Sequence, residues 1–213
     1  DLEVLWEGNQ PLEESEKIES LITRLYENHV SDQLQCWFRE DSSDLLKMLF
    51  LVSQIKYPGL NTGLTKEYID RLSVDAWVQL YASAHPTDKI QVLNHVFFDQ
   101  YHLSGDSETY NHPDNSYISR VVETKKGNPI TLSSLYIIVA HRLGLPVFGV
   151  NLPQHFVVAY CDSGSIEVNN YVKQNRTLNR DDFGEVLFYI NPFQPQQLLV
   201  SDSLQYDKTS INK

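Results

Sequence analysis

The stretch from Pro129 to Leu143 is apolar almost all the way round a helix. A helix on the surface of a domain normally has one apolar stripe, whereas a helix that is apolar on every side must be covered by other elements. Its ends are also marked: Asn128 is a good N-cap, proline suits the first helical position, and Gly144 follows the last turn. The sequence therefore predicts one central, buried helix around which the chain is arranged.

Before this helix, apolar residues recur with helical spacing, and after it they alternate as in strands. The helices are predicted over residues 12–30, in a short piece around 34–38, from the cap at 42–44 to just before Tyr57, over 65–83, over 87–100, and from the cap at 115–116 to Thr124. The strands are predicted at Val147–Asn151, His155–Cys161, Ile166–Tyr171 and Val186–Ile190. The predicted fold class is α+β, with an N-terminal helical bundle followed by the central helix packed on an antiparallel sheet.

The charge of the chain is uneven and argues against two kinds of partner. The net charge is −11, and residues 1–50 hold 12 of the 28 acidic but only 4 of the 17 basic side chains. An acidic surface repels phosphate backbones and anionic lipid headgroups, so neither nucleic acid nor a membrane is an expected partner. The longest apolar run near the middle, Leu135–Ala140, is too short to span a bilayer.

Metal-binding and leader motifs are not found in the sequence. The two cysteines, Cys36 and Cys161, cannot form a zinc ribbon, and His95, His102 and His112 have no metal-ligand spacing. No metal and no cofactor are therefore expected. No basic segment followed by an apolar one is present at the start, so the expected location is the cytoplasm.

The order of elements in residues 115–193 suggests where chemistry could occur. The buried helix opens from a Gly-Asn-Pro turn, His155 begins a strand, and Asn191 ends a later strand. Cysteine-protease-like folds place a thiol at such a helix N-terminus, where the helix field lowers its pKa. A histidine on a strand then takes its proton, and an Asp or Asn orients the histidine.

A set of short motifs in residues 45–200, strongest over 115–193, resembles one known family. The motifs are Asn115-Ser116-Tyr117-Ile118, Lys126-Gly127-Asn128-Pro129-Ile130-Thr131-Leu132-Ser133, Leu135-Tyr136, Arg142-Leu143-Gly144-Leu145-Pro146, Gly149-Val150, Pro153-Gln154-His155-Phe156 and Tyr189-Ile190-Asn191-Pro192-Phe193. They are similar to the SirB-like branch of the transglutaminase-like superfamily, which occurs in bacteria and as a domain in some F-box proteins. The resemblance implies a papain-like core, with His155 as the family's histidine and Asn191 in the place of the third triad residue.

The chain departs from the active members of this superfamily at the nucleophile. Active enzymes carry a cysteine before the helix, and counting back from Gly144-Leu145-Pro146 places that position on Pro129. Cys161 does not replace it, because six residues of strand separate it from His155 by roughly 20 Å. The hydroxyls of Thr131 and Ser133 lie in the first turn of the helix, but their pKa is far above neutral and the helix field activates them little.

Three functions remain open on these residues. The leading one is a non-catalytic module that binds a peptide or protein segment in a cleft formed by Asn115, Asn128, Pro129, Tyr136, Gln154 and His155. The second is an acyl-transfer or hydrolase enzyme that uses Thr131 or Ser133 with His155 and Asn191. The third is a scaffold with a vestigial cleft, whose acidic helical half recruits a basic partner.

Each candidate residue also has a purely structural explanation. Asn115 and Asn128 suit helix caps, Asn191 before proline suits a turn, and Tyr136 suits the core. The polar segment 101–114 suggests a boundary, giving a helical region over 1–108, a transglutaminase-like core over 109–205 and a loose tail over 206–213. The sequence leaves the oligomeric state open.

Overall fold

A computed structural model describes residues 10–39, 44–80, 85–152, 155–162, 185–194 and 198–200. The helices precede the strands of the antiparallel sheet along the chain, as the sequence predicts. The six α-helices of these residues are α1 (Gln10–Arg39), α2 (Leu45–Lys56), α3 (Thr62–Leu80), α4 (Pro86–Asn94), α5 (Ile118–Thr124) and α6 (Pro129–Arg142). A single π-turn, His95–Gln100, continues α4, and a 3-10 turn, Pro113–Ser116, precedes α5.

The first helix is longer than the sequence pattern predicts. We expected a break at Ser31-Asp32 and a separate short helix, but α1 runs without interruption through both residues. Both side chains are exposed, so they can be solvated without ending the helix. The neighbouring Val30 is 1 % exposed. The main contacts of α1 are with α2.

The central helix α6 is as predicted. Ten consecutive residues, Thr131–Ala140, are buried. Asn128 caps the start of the helix, because its side-chain oxygen accepts a hydrogen bond from the Thr131 N–H at 2.8 Å. Gly144, with φ of 70°, adopts the left-handed conformation that follows the last turn.

The strands form one antiparallel sheet and one small parallel pair. The sheet has the order β3 (Val147–Leu152), β4 (His155–Cys161), β5 (Val186–Ile190) and β6 (Leu198–Val200). The pair consists of β1 (Ser104–Gly105) and β2 (Lys126–Gly127), which the sequence pattern did not reveal. The predicted strand Ile166–Tyr171 lies outside the described residues.

One face of the sheet packs on α6 and the other carries a smaller cluster. Val147, Val158 and Tyr160 belong to the main hydrophobic core together with α6, whereas Phe148 and Ala159 belong to the second cluster. The main core includes residues from Leu49 in α2 to Ile190 in β5. It therefore crosses the predicted boundary at residue 108, and the tail 206–213 lies outside the described residues.

None of the helices within the described ranges is long and apolar enough to cross a membrane.

Candidate functional site

A groove with a volume of about 390 Å³ lies where the start of α6 meets the ends of β3 and β4. Among the described residues, the lining contains no Asp, Glu, Lys or Arg. Two large apolar side chains in it are well exposed, Ile130 at 57 % and Tyr110 at 50 %. The lining residues are Tyr110, Asn111, His112, Pro113, Ser116, Asn128, Pro129, Ile130, Asn151, Leu152, His155 and Phe156.

Asn128 holds the first wall of the groove, the start of α6, in place. Beyond capping the helix, its side-chain amide donates to the Ser116 hydroxyl at 2.9 Å. Its backbone N–H donates to the Asn115 carbonyl at 3.1 Å. These bonds tie the first turn of α6 to the 3-10 turn, so Pro129 and Ile130 are presented to the groove from a fixed backbone.

The second wall, residues 110–113, depends on a buried polar network behind it. The side-chain amide of Asn115 donates to the Thr109 carbonyl at 2.8 Å and to the Asp106 carboxylate at 3.1 Å. The same carboxylate accepts from the Thr109 backbone N–H at 3.0 Å and from the Thr109 hydroxyl. The hydrogen bonds from Thr109 lower the pKa of Asp106 to about 2, so the carboxylate is charged under ordinary conditions.

Asn115 is therefore not the helix cap that the sequence suggested. The helix α5 begins at Ile118 after Tyr117, which makes no side-chain cap. Asn115 is 4 % exposed and is not among the described residues that line the groove, so it supports the groove from behind.

Asn191 forms the turn that its position before proline suggests. Its side-chain oxygen accepts a hydrogen bond from the Phe193 N–H at 3.1 Å. The turn places the Phe193 ring against Tyr110, with ring centroids 5.8 Å apart, and over Gly105, where an added Cβ would lie 2.5 Å from the ring. Asn191 thus anchors the end of β5 to the loop of the second wall, and it is not among the residues that line the groove.

His155 lines the same groove as Pro129, from the first position of β4. It is exposed, and among the described residues no side chain is hydrogen-bonded to its imidazole. It pairs with Leu152, and strand alternation places it with Val157 and Ala159 on the face turned away from α6. His155 therefore stands at the rim of the groove, where it is open to solvent or to a ligand.

The remaining predicted site residues lie elsewhere. Tyr136 is fully buried, and its hydroxyl donates to the Asn94 side-chain oxygen at 2.7 Å. Thr131 and Ser133 are 2 % and 0 % exposed and do not line the groove. Gln154 lies outside the described residues.

Neither cysteine lines the groove. Cys36 is exposed on α1, and Cys161 is buried at the end of β4, where burial raises the pKa of its thiol. In the part of the chain that is described, no three His, Cys, Asp or Glu side chains lie close enough together to hold a metal ion.

Sequence reasoning missed Asp106, Thr109 and the Gly105–Phe193 contact. The spacing Asp-x-x-Thr is typical of a turn in which the carboxylate accepts from the backbone N–H three residues on. It lies in the polar segment 101–114, whose composition by itself indicates only a boundary. Nothing in a single sequence shows that Gly105 meets Phe193, because 88 residues separate them.

A buried helix that opens beside a strand histidine, on an antiparallel sheet preceded by helices, is the arrangement of the papain-like α+β proteins. A family model described as the transglutaminase-like superfamily matches residues 64–207, two thirds of the chain. The chain belongs to this superfamily.

The relatives that it matches are bacterial and animal proteins. A UPF0162 protein of Xylella fastidiosa is 30% identical over 150 residues, which cover 68% of this chain and 52% of the relative. A UPF0162 protein of Vibrio cholerae is 30% identical over 94 residues, 44% of this chain and 35% of the relative. F-box only protein 21 of mouse is 31% identical over 86 residues, 39% of this chain and 14% of the relative. The chain spans about half the length of the first of these relatives, and no solved structure matches it.

Proposed function

We propose that this chain is a transglutaminase-like module of the SirB-like branch that has lost its nucleophile and binds a peptide or protein segment without cleaving it. The observation that carries the proposal is the groove itself, which is lined by both Pro129 and His155. The count back from Gly144-Leu145-Pro146 assigns the nucleophile position to Pro129. A pyrrolidine ring has no atom that can attack an acyl carbon.

The placement of the hydroxyls supports binding over catalysis. A general base must come within about 2.6–3.2 Å of the proton that it removes. The hydroxyl of Ser133 is buried with no hydrogen-bond partner among the described residues, and Thr131 is equally inaccessible. Neither can meet a substrate in the groove without a rearrangement of α6, the most deeply buried helix.

The chemistry of the lining indicates the kind of ligand. A groove whose described lining contains no Asp, Glu, Lys or Arg, but has exposed apolar groups and several amide and hydroxyl groups, suits a ligand that is itself uncharged, because burying an unpaired charge is costly. Extended peptide offers apolar side chains together with backbone donors and acceptors. We therefore assign the groove to a peptide segment with uncharged side chains.

The binding half of the proposal is tested by titration. The probe is a capped heptapeptide of alternating valine and threonine, added to the ¹⁵N-labelled protein. We expect the amide signals of Ser116, Ile130 and His155 to shift together, while those of α3 stay in place. If these signals do not move at millimolar peptide, the proposed function is wrong.

The lost-nucleophile half is tested by restoring the thiol. In a Cys36→Ser background, Pro129→Cys should react rapidly with iodoacetamide in a pH-dependent way, and a further His155→Ala change should slow the reaction. Pro86→Cys is the matched control, since Pro86 is also the first residue of a helix, half-buried and outside the groove lining. Its labelling should not depend on His155. Slow, His155-independent labelling at position 129 would count against a degenerate active site.

A further inference from the structure

Among the described strands, β3 stands at the end of the sheet, and one of its edges is unpaired there. It pairs with β4 on one side, and none of the described strands lies on the other. In an antiparallel ladder, alternate residues direct both backbone groups toward the partner strand and the residues between them direct both groups away.

The hydrogen bonds show which residues face the open edge. The Cys161 N–H donates to the Pro146 carbonyl at 2.9 Å, and these residues are opposite one another in the register that pairs Val147 with Tyr160. The alternation then directs Phe148 and Val150 toward β4. It directs the backbone groups of Val147, Gly149 and Asn151 outward.

The hydrogen bonds of the Val147 backbone agree with this alternation. They also show that the edge is already hydrogen-bonded within the chain at this residue. Its N–H donates to the Leu145 carbonyl at 2.9 Å, and its carbonyl accepts from His141 Nε2 at 2.7 Å. Both of its outward groups are therefore used within the chain. Gly149 and Asn151 are exposed, and their N–H and carbonyl groups have no partner among the described residues.

The open part of the edge continues into the groove. Asn151 lies both on the edge and in the groove lining, and Leu152 follows it there. Native edge strands are usually protected by lysine, proline or a bulge, but β3 has the sequence Val-Phe-Gly-Val-Asn-Leu and pairs regularly with β4. An unprotected edge that leads into a groove is the geometry used for adding a peptide strand.

We propose that Gly149 and Asn151 bind an extended, uncharged peptide segment as an additional strand, whose continuation lies in the groove between Ile130 and His155. This inference rests on the proposed function and specifies how the peptide is held. Strand addition uses the N–H groups of alternate peptide residues, and the described residues of the edge and the lining include no Asp, Glu, Lys or Arg with which a charged peptide could pair. A single extended chain can occupy both the edge and the groove, because Asn151 and Leu152 belong to both.

The test uses two N-methylated versions of the valine–threonine heptapeptide. One version is methylated at residues of even position and the other at residues of odd position, so each removes the N–H groups of one edge of the peptide. Strand addition predicts that one version loses about tenfold or more in affinity while the other binds like the parent peptide. If both versions bind equally well or equally poorly, strand addition is wrong, although the groove still binds peptide. If the parent peptide does not bind either, the proposed function itself fails.

A protein variant gives an independent test. Asn151→Pro removes the outward N–H, and Asn151→Ala keeps it while removing the same side chain. Asn151→Pro should bind the parent peptide about tenfold more weakly than Asn151→Ala. Equal affinities would contradict the proposal.

Hydrogen exchange of the free protein tests whether the edge is open. The amides of Gly149 and Asn151 should exchange fast, and those of Phe148 and Val150 slowly. Slow exchange at Gly149 and Asn151 would overturn the proposal, because another part of the chain or a second copy would then occupy the edge. A sedimentation measurement at the same concentration distinguishes these two occupants.

Discussion

Three asparagines predicted as site residues build the walls of the groove. Asn128 caps α6 and bridges to Ser116, Asn115 holds the loop of the second wall, and Asn191 sets the turn that presents Phe193. The side-chain amide of each asparagine forms hydrogen bonds within its own turn or to the adjacent loop, as asparagine does in caps and turns. The structural explanation considered for Asn128 and Asn191 therefore accounts for their contacts.

At the residue scale, Asn115→Ala should destabilise the protein by about 1–3 kcal/mol. The change removes the donor for a buried acceptor, the Asp106 carboxylate, and for a partly buried one, the Thr109 carbonyl, and leaves both without this bond. Urea unfolding followed by circular dichroism measures the loss. Asn111→Ala is the matched control, because Asn111 is an exposed residue of the same loop, and its free energy of unfolding should hardly change. Equal losses in the two variants would contradict the role of the network.

At the scale of elements, one histidine links the end of α6 to the start of β3 by a hydrogen bond. The imidazole of His141 donates from Nε2 to the Val147 carbonyl, and burial lowers the pKa of this histidine below its usual value of 6.5. The neutral form is therefore favoured in the folded protein. This contact closes the outward side of β3 at Val147 and leaves Gly149 as the first open position.

The lowered pKa predicts a pH dependence of stability. As the pH falls through about 6.5, the unfolded chain binds a proton at His141 that the folded chain does not yet bind, so the free energy of unfolding decreases. His141→Gln keeps a side-chain donor and removes the titration. Between about pH 7.5 and about pH 5.5 the original chain should lose more stability in urea unfolding than the variant. The other six histidines are common to both chains. Equal losses would mean that His141 titrates alike in the folded and unfolded states.

The sequence predicted the elements that depend on local patterns and missed those that depend on distant contacts. The apolar run, the Asn128 cap and Gly144 define α6 within its own residues, and β4 and β5 follow from alternation. The parallel pair β1–β2 has only two residues in each strand, too few for any period to appear. For the candidate site, the order of elements along the chain indicated that Pro129 and His155 share a groove. The second wall of the groove depends on Asp106 and Phe193, and only the tertiary structure places these residues next to it.

At the scale of the whole molecule, the helices and the sheet share one hydrophobic core. Leu132, Leu135 and Val139 of α6 belong to the same cluster as Ile69 and Leu72 of α3. Apolar burial of this kind is the main source of folding stability, and removing one partner exposes the other. The helical region therefore covers the transglutaminase-like core, although the polar segment 101–114 suggested a boundary between them.

This shared core makes a prediction about truncation. Residues 109–205 alone should fail to show a cooperative unfolding transition, because α6 would lose the helices that cover one side of it. Residues 44–213 are the matched control, since α1 contacts mainly α2 and none of its described side chains belongs to the main cluster. This longer piece should unfold cooperatively, monitored by near-ultraviolet circular dichroism during heating. A cooperative transition in residues 109–205 would show instead that the predicted boundary separates two independent folding units, and the groove would then depend only on elements that follow it.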